Sequence, residues 1–401
     1  MSRMDSRTFR LLATTLVFAL SGVACGGGKG EAAPPPPTNT TAAPVPTGPD
    51  TVAAQLRASL DGLLQEHVAL AAAAANASVG GRTDEFAGAS RHLGANSDAL
   101  TASIGTVFGS EAGTTFDPLW KKHIQFIFNY AQGQGMNDLL AWTKEFGTFM
   151  HSQLPDLPVD AVTELMRQHV LSLKDVIDAQ RAGDDIRAYT NLRTAMADVG
   201  PIAESLAAAT STKFPEKVSG NPKSPATTLL VTLNGELREH VFLLAATTGA
   251  AMAGRQDELK AAGAALDANS SALAAVIASV YGADAGKAFD PLWRRHIALF
   301  MDYTNGQVAG DRPKQDKAVQ DLLAYTAAFG SFLNSASPAL TPDAVGELVK
   351  THVFTQKDVI DAQKAKNFPA VYGDVRIAAE HMSTIAKQLT GTIVKQFPQK
   401  F

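Results

Sequence analysis

Six histidines fall into three matched pairs: His67 with His240, His123 with His296, and His169 with His352. Each lies in an apolar stripe rather than on a charged face. Neutral imidazole is a common ligand of zinc, copper and iron, and three suffice for a mononuclear site with one open position. The chemistry these residues suggest is metal binding, with Zn, Cu or Fe held by His67, His123 and His169 and again by His240, His296 and His352. Carboxylates nearby in sequence are expected to orient the rings: Glu66, Asp175 and Asp178, with Glu239, Asp358 and Asp361. There is no HxxxH, HExxH or ExxH pair, so convergence requires three separate elements to meet. The opposing reading is that these are neutral core histidines that fix helix register and ligate nothing.

Other groups carry less. Trp120, Trp293, Tyr130 and Tyr303 share the histidine stripe and read as core aromatics. Asn96 and Asn269 sit mid-helix, where Asn has poor propensity, and are expected to bond an inward His or a neighbouring backbone. Arg193, Arg376, Tyr189 and Tyr372 read as inter-helix hydrogen bonds. His381 aligns with Asp198, so a fourth ligand there would differ between the copies. Gly200-Pro201 should kink the first copy where the second has Ser383-Thr384, which makes the second the better candidate for a complete site. His92 and His151 have no counterparts and are expected at the surface. No catalytic residue is assigned. No thiol remains for catalysis beyond Cys25, and no CxxCH, GxSxG, Walker loop or dinucleotide fingerprint occurs.

The elements that would position the histidines come from a duplication. FDPLWKKHIQFIFNY, Phe116 to Tyr130, returns as FDPLWRRHIALFMDY, Phe289 to Tyr303, at an offset of 173. Glu66-His67-Val68 returns as Glu239-His240-Val241, and Lys174 to Gln180 returns as Lys357 to Gln363 at an offset of 183. The ten extra residues fall around Gly306 to Asp316, expected to form a polar loop. Apolar residues recur at helical spacing: Leu60, Leu63, Leu64, His67 and Leu70; Phe116, Leu119, Trp120, His123, Ile127 and Tyr130; Val162, Leu165, Met166, His169, Leu173 and Val176. Thr83 is expected to cap the second helix and Asp184 the sixth. The fold class is all-α: two tandem homologous antiparallel six-helix bundles, residues 51–215 and 226–401, joined by a linker over 216–225.

The N-terminus reads as targeting sequence. Arg3, Arg7 and Arg10 precede the apolar run Leu11 to Leu20, which is too short for a normal membrane span. Small residues then lead to Cys25, the only cysteine, as in a bacterial lipobox, although Gly22 stands where Leu is usual. Residues 1–24 are thus expected to be a lipoprotein signal peptide, Cys25 the lipidation site, and 25–50, rich in Pro, Gly, Thr and Ala, a disordered tether. The protein would work outside the cytoplasm, anchored to the cell membrane by lipid, or secreted if not lipidated. A formal net charge of −4 and the lack of a basic stripe argue against nucleic acid as a partner.

With FDPLW, the following His-Ile, EHV and KDVIDAQ together, the chain resembles a group of secreted bacterial helical-repeat proteins over residues 55–215 and 230–401. Some of that group are described in copper amine oxidase terms. The Asn-Tyr-Asp/Glu context of that enzyme's quinone cofactor is missing, since Asn129-Tyr130 is followed by Ala131 and Tyr303 follows Met301-Asp302. The resemblance therefore implies an extracytoplasmic helical protein and no carried-over activity. Three functions stay open on sequence: a lipid-anchored metal-binding protein, a metal-dependent oxidoreductase using the same pockets, and a structural or interaction module of the cell envelope.

Overall fold

The structure, a computed structural model, describes residues 45–401. The expected signal segment, Cys25 and most of the tether lie outside the described residues. No strand occurs among the described residues. The first copy runs α1 (Val52–Val79), α2 (Thr83–Phe108), α3 (Ser110–Ala131), α4 (Met136–Gln153), α5 (Val159–Arg181), α6 (Asp185–Ala197) and α7 (Gly200–Lys213). The second runs α8 (Pro225–Ala253), α9 (Gln256–Tyr281), α10 (Ala283–Ala309), α11 (Arg312–Ala336), α12 (Pro342–Lys364) and α13 (Phe368–Gln396).

Helices α1 and α8 form the centre. Both are apolar or small around most of their circumference, and both bury residues on every side, including Ala53, Leu64, Val68, Leu70 and Ala75 of α1 and Leu230, Leu237, Val241, Leu243 and Leu244 of α8. A helix apolar all round has no solvent face to offer, so it is wrapped by others. Each copy wraps its own central helix, and the two central helices also pack on each other. The remaining contacts between the copies are reciprocal. α2 of the first packs on α13 of the second, and α9 of the second packs on α6 of the first. Matched surfaces exchanged in this way are the pattern of an isologous interface, here within one chain. Val45–Phe401 is accordingly one compact unit with one continuous apolar core.

Several local expectations change in detail. The kink at Gly200-Pro201 is a full break: α6 stops at Ala197 and α7 restarts at Gly200, whereas α13 is continuous. Pro201 lacks the N–H that would carry the helical ladder across. The ten-residue insertion is not a polar loop. It lengthens helices instead: α10 has 27 residues against 22 in α3, and α11 has 25 against 18 in α4. Thr83 lies inside α2 with Arg82 at the cap position, while Asp184 accepts from the backbone N–H of Arg187 as expected. The turns α2–α3 and α9–α10 pivot on Gly109 (φ 103°) and Gly282 (φ 97°), a region that favours glycine.

The described residues also include 45–50, ahead of α1. Pro46 and Thr47 carbonyls accept from Asn221 N and Ser224 Oγ at 2.9 and 2.7 Å, so this strip lies along the segment joining the copies. By length and apolar composition α9 would suffice to cross a bilayer, but it packs against α6, α8 and α10 and buries Glu258 and Asn269.

Candidate metal centres

The three apolar stripes of each copy turn inward, and their histidines meet. His67 on α1, His123 on α3 and His169 on α5 each offer a ring nitrogen, all within 4.8 Å of one another. His240 on α8, His296 on α10 and His352 on α12 do the same. The Nε2 atoms of His67 and His123 are 3.2 Å apart, and those of His240 and His296 are 3.3 Å apart. Tetrahedral bonds of about 2 Å place ligand nitrogens about 3.3 Å apart. Two rings of each cluster therefore already stand at ligand spacing, and the third would need to close by at most about 1.5 Å. All six rings are buried.

Burial and mutual repulsion keep the rings neutral. Burial, then His123 and His169, hold His67 well below the usual histidine range, and burial brings His169 down to about 4. Burial and His169 depress His123, against a raising effect of the Trp120 carbonyl. In the second copy burial brings His296 down to about 3, again against its backbone neighbour Trp293. Burial, then His296 and His352, hold His240 well below the usual range, and burial, then His296 and His381, do the same for His352. Neutral imidazole is the form that binds a metal. The His123 Nδ1–H donates to the Trp120 carbonyl, which leaves Nε2 as the acceptor of a hydrogen bond from the His67 Nε2–H and so presents its lone pair to the cluster.

Aromatic walls close both sites. Trp120 lies 4.3 Å from the His123 ring and 5.0 Å from His67, stacked on Phe116, and Trp142 stacks on the other side of His123 at 4.3 Å. Trp293, Phe289 and Tyr325 take these places in the second copy, with Tyr325 stacked on His296 at 5.4 Å.

Unpaired polar atoms test whether a metal fits. Both ring nitrogens of His169 and of His352 lack any hydrogen-bond partner, as do Nδ1 of His67 and His240 and the indole N–H groups of Trp120 and Trp293. A buried polar group left unpaired costs about 1–3 kcal/mol. An ion at each cluster centre would take up the inward lone pairs, and three imidazoles suit zinc, copper or iron. The donor set fits.

The expected carboxylate supports do not form. Glu66 is bonded by Asn96, Arg238 and Arg376, and Glu239 by Asn269 and Arg193. Asp178 accepts from Tyr130 and Lys174, and Asp361 from Tyr303, Gln307 and Lys357. Asp175 lies beside Lys174 near the surface, and Asp358 is among none of the histidines' hydrogen-bond partners. The acids were placed near the rings in sequence, but adjacent helix positions face about 100° apart, which aims each acid at a different neighbour.

Asn96 and Asn269 bond the backbone carbonyls of Leu63 and Glu236, not a histidine. Arg193 and Arg376 do join helices, and they do so across the copies, Arg193 to Glu239 and Arg376 to Glu66. Tyr189 crosses likewise to Glu258. His381 bonds the Leu348 carbonyl and is outside the cluster. His92 and His151 are half-buried rather than superficial, bonded to the carbonyls of Pro369 and Leu157. Sequence reasoning passed over Gln356 and Tyr325, both buried with unpaired polar atoms. Their signal was the mismatch in the repeat, where the first copy has Leu173 and Trp142.

Comparison with protein-family models, curated proteins and solved structures found no match.

Proposed function

We propose that the protein is a lipid-anchored, extracytoplasmic metal-binding protein in which two tandem helical bundles, fused along their central helices, each hold one ion. Cys25, following an Arg-rich and apolar leader, would carry the lipid, and the Pro-rich stretch after it would hold the folded part off the membrane. His67, His123 and His169 hold one ion, and His240, His296 and His352 the other. The observation that carries this reading is the convergence of three neutral, buried imidazoles, twice, with His169 and His352 wholly unpartnered. Core histidines that only fix register would be expected to find hydrogen-bond partners.

Elemental analysis of the purified full chain tests it. The expected result is one ion per cluster, reduced by half in His169→Ala or His352→Ala and abolished in the double variant. Stoichiometry near zero, with melting unchanged on adding Zn²⁺ or Cu²⁺, would leave only the structural reading.

A further inference from the structure

The two clusters share a plan but not their neighbours. One turn beyond His169 on α5 the first copy has Leu173, a buried core residue. One turn beyond His352 on α12 the second has Gln356, completely buried, with neither its amide nitrogen nor its amide oxygen paired. The i, i+4 spacing puts Gln356 on the helix face that carries His352. The second difference lies against the next ring. Trp142 of the first copy donates its indole N–H to the Leu119 carbonyl at 2.8 Å. Tyr325, in its place beside His296, has a buried hydroxyl with no partner. Both substitutions put unsatisfied polar groups on residues that share a helix face with His352 or stack on His296, where the first copy has apolar or satisfied ones.

We propose that the two centres differ in coordination. Resting on the metal reading above, the second centre carries a small exogenous ligand on its ion, a hydroxide or an anion of similar size, held by a hydrogen bond from Gln356. The first centre, with Leu173 and Trp142 at these positions, presents its three imidazoles alone. Neither cluster includes a carboxylate, so charge alone would favour an anion at both, and what singles out the second centre is that Gln356 offers that anion a donor where Leu173 offers none. An amide N–H₂ donates to an anion, and the amide oxygen accepts from a bound hydroxide or water. Trp120 and Trp293 offer the same unpaired indole donor in both copies and so do not distinguish them.

Cobalt(II) provides a visible spectrum for each centre, and azide serves as the probe anion. The His169→Ala variant of the full chain leaves the second centre to load, and His352→Ala leaves the first. Azide is expected to shift the cobalt bands of the second centre and to leave those of the first unmoved at the same concentration. Gln356→Leu, which installs the first copy's residue, is expected to weaken azide at least tenfold, read per bound cobalt so that partial loading does not matter. Leu173→Gln is expected to confer an azide response on the first centre. Equal responses from both centres, or azide affinity within twofold after Gln356→Leu, would overturn the proposal while leaving metal binding intact. Absence of cobalt from both centres would instead overturn the metal reading, and this proposal with it.

Discussion

Two parts of this core bury polar side chains, and they treat them differently. Around the central helices α1 and α8 the buried charges have company. Glu66 accepts from Asn96, Arg238 and Arg376; Arg57 pairs with Glu204 at 2.7 Å and donates to the Pro222 carbonyl; Asp61 accepts from Gln65. Each of those charged side chains thus has at least one partner, although single atoms such as Arg57 Nε, Arg238 Nε, Gln65 Oε1, Asn96 Oδ1 and Asn269 Oδ1 stay unpaired. In the histidine clusters, His169 on α5 and His352 on α12 have no partner at all. The clusters differ in degree: there both ring nitrogens of His169 and of His352, in corresponding places, lack any partner.

The largest test of this contrast is acid. The six cluster histidines are depressed in the folded state, so the unfolded chain binds more protons below about 6.5. Stability is full above that value and is lost as pH falls towards about 4 for His169 and about 3 for His296. His169 alone accounts for something on the order of 3 kcal/mol. Asp61 and Glu236, raised to about 7 chiefly by burial, and Asp374, raised to about 6, act in the opposite sense, since their folded forms hold protons more tightly. The histidines outnumber them, so urea midpoints are expected to drop between pH 7 and pH 4. A flat or rising profile would mean that the clusters are hydrated.

Cutting the seam comes next. Glu66→Ala leaves Arg238 and Arg376 facing a buried gap, and removing one partner of a buried pair costs about 3–5 kcal/mol by denaturant titration. His169→Leu, by contrast, removes an unpaired group and fills the space, and is expected to hold or raise the stability of metal-free protein. If it costs as much as Glu66→Ala, the supposed difference between the regions is gone. Metal at a hundredfold excess over its dissociation constant should stabilise by about 2.7 kcal/mol per centre, and this increment should vanish for the centre that lacks its α5 or α12 histidine. The smallest effect is the control. Lys122→Ala removes an exposed pair with Glu145, expected to be worth about 1 kcal/mol or less.

Much of this was legible in the residues. Periodicity marked which face of each helix is apolar, and His67, His123 and His169 lay on those faces, so their convergence followed once the helices packed. Gly200-Pro201 marked the α6–α7 break. What periodicity does not report is which helix a face meets. The pairing of Glu66 with Arg376 spans 310 positions and joins different copies, so no local pattern announces it. Glu66 was consequently placed with the adjacent His67 rather than with the arginines that hold it. The insertion is ambiguous for a related reason: polar residues such as Arg312, Lys314 and Asp316 suit an exposed helix extension as well as a loop. Gln356 opposite Leu173 was visible in the repeat, but its meaning required knowing that no partner reaches it.

X-ray absorption on the zinc- or copper-loaded chain addresses the main claim most directly. Nitrogen neighbours are expected at about 2 Å with the outer-shell scattering of imidazole rings, lost in proportion as His169 and His352 are replaced. An ion surrounded by carboxylate oxygens, or a spectrum indifferent to both replacements, would contradict it.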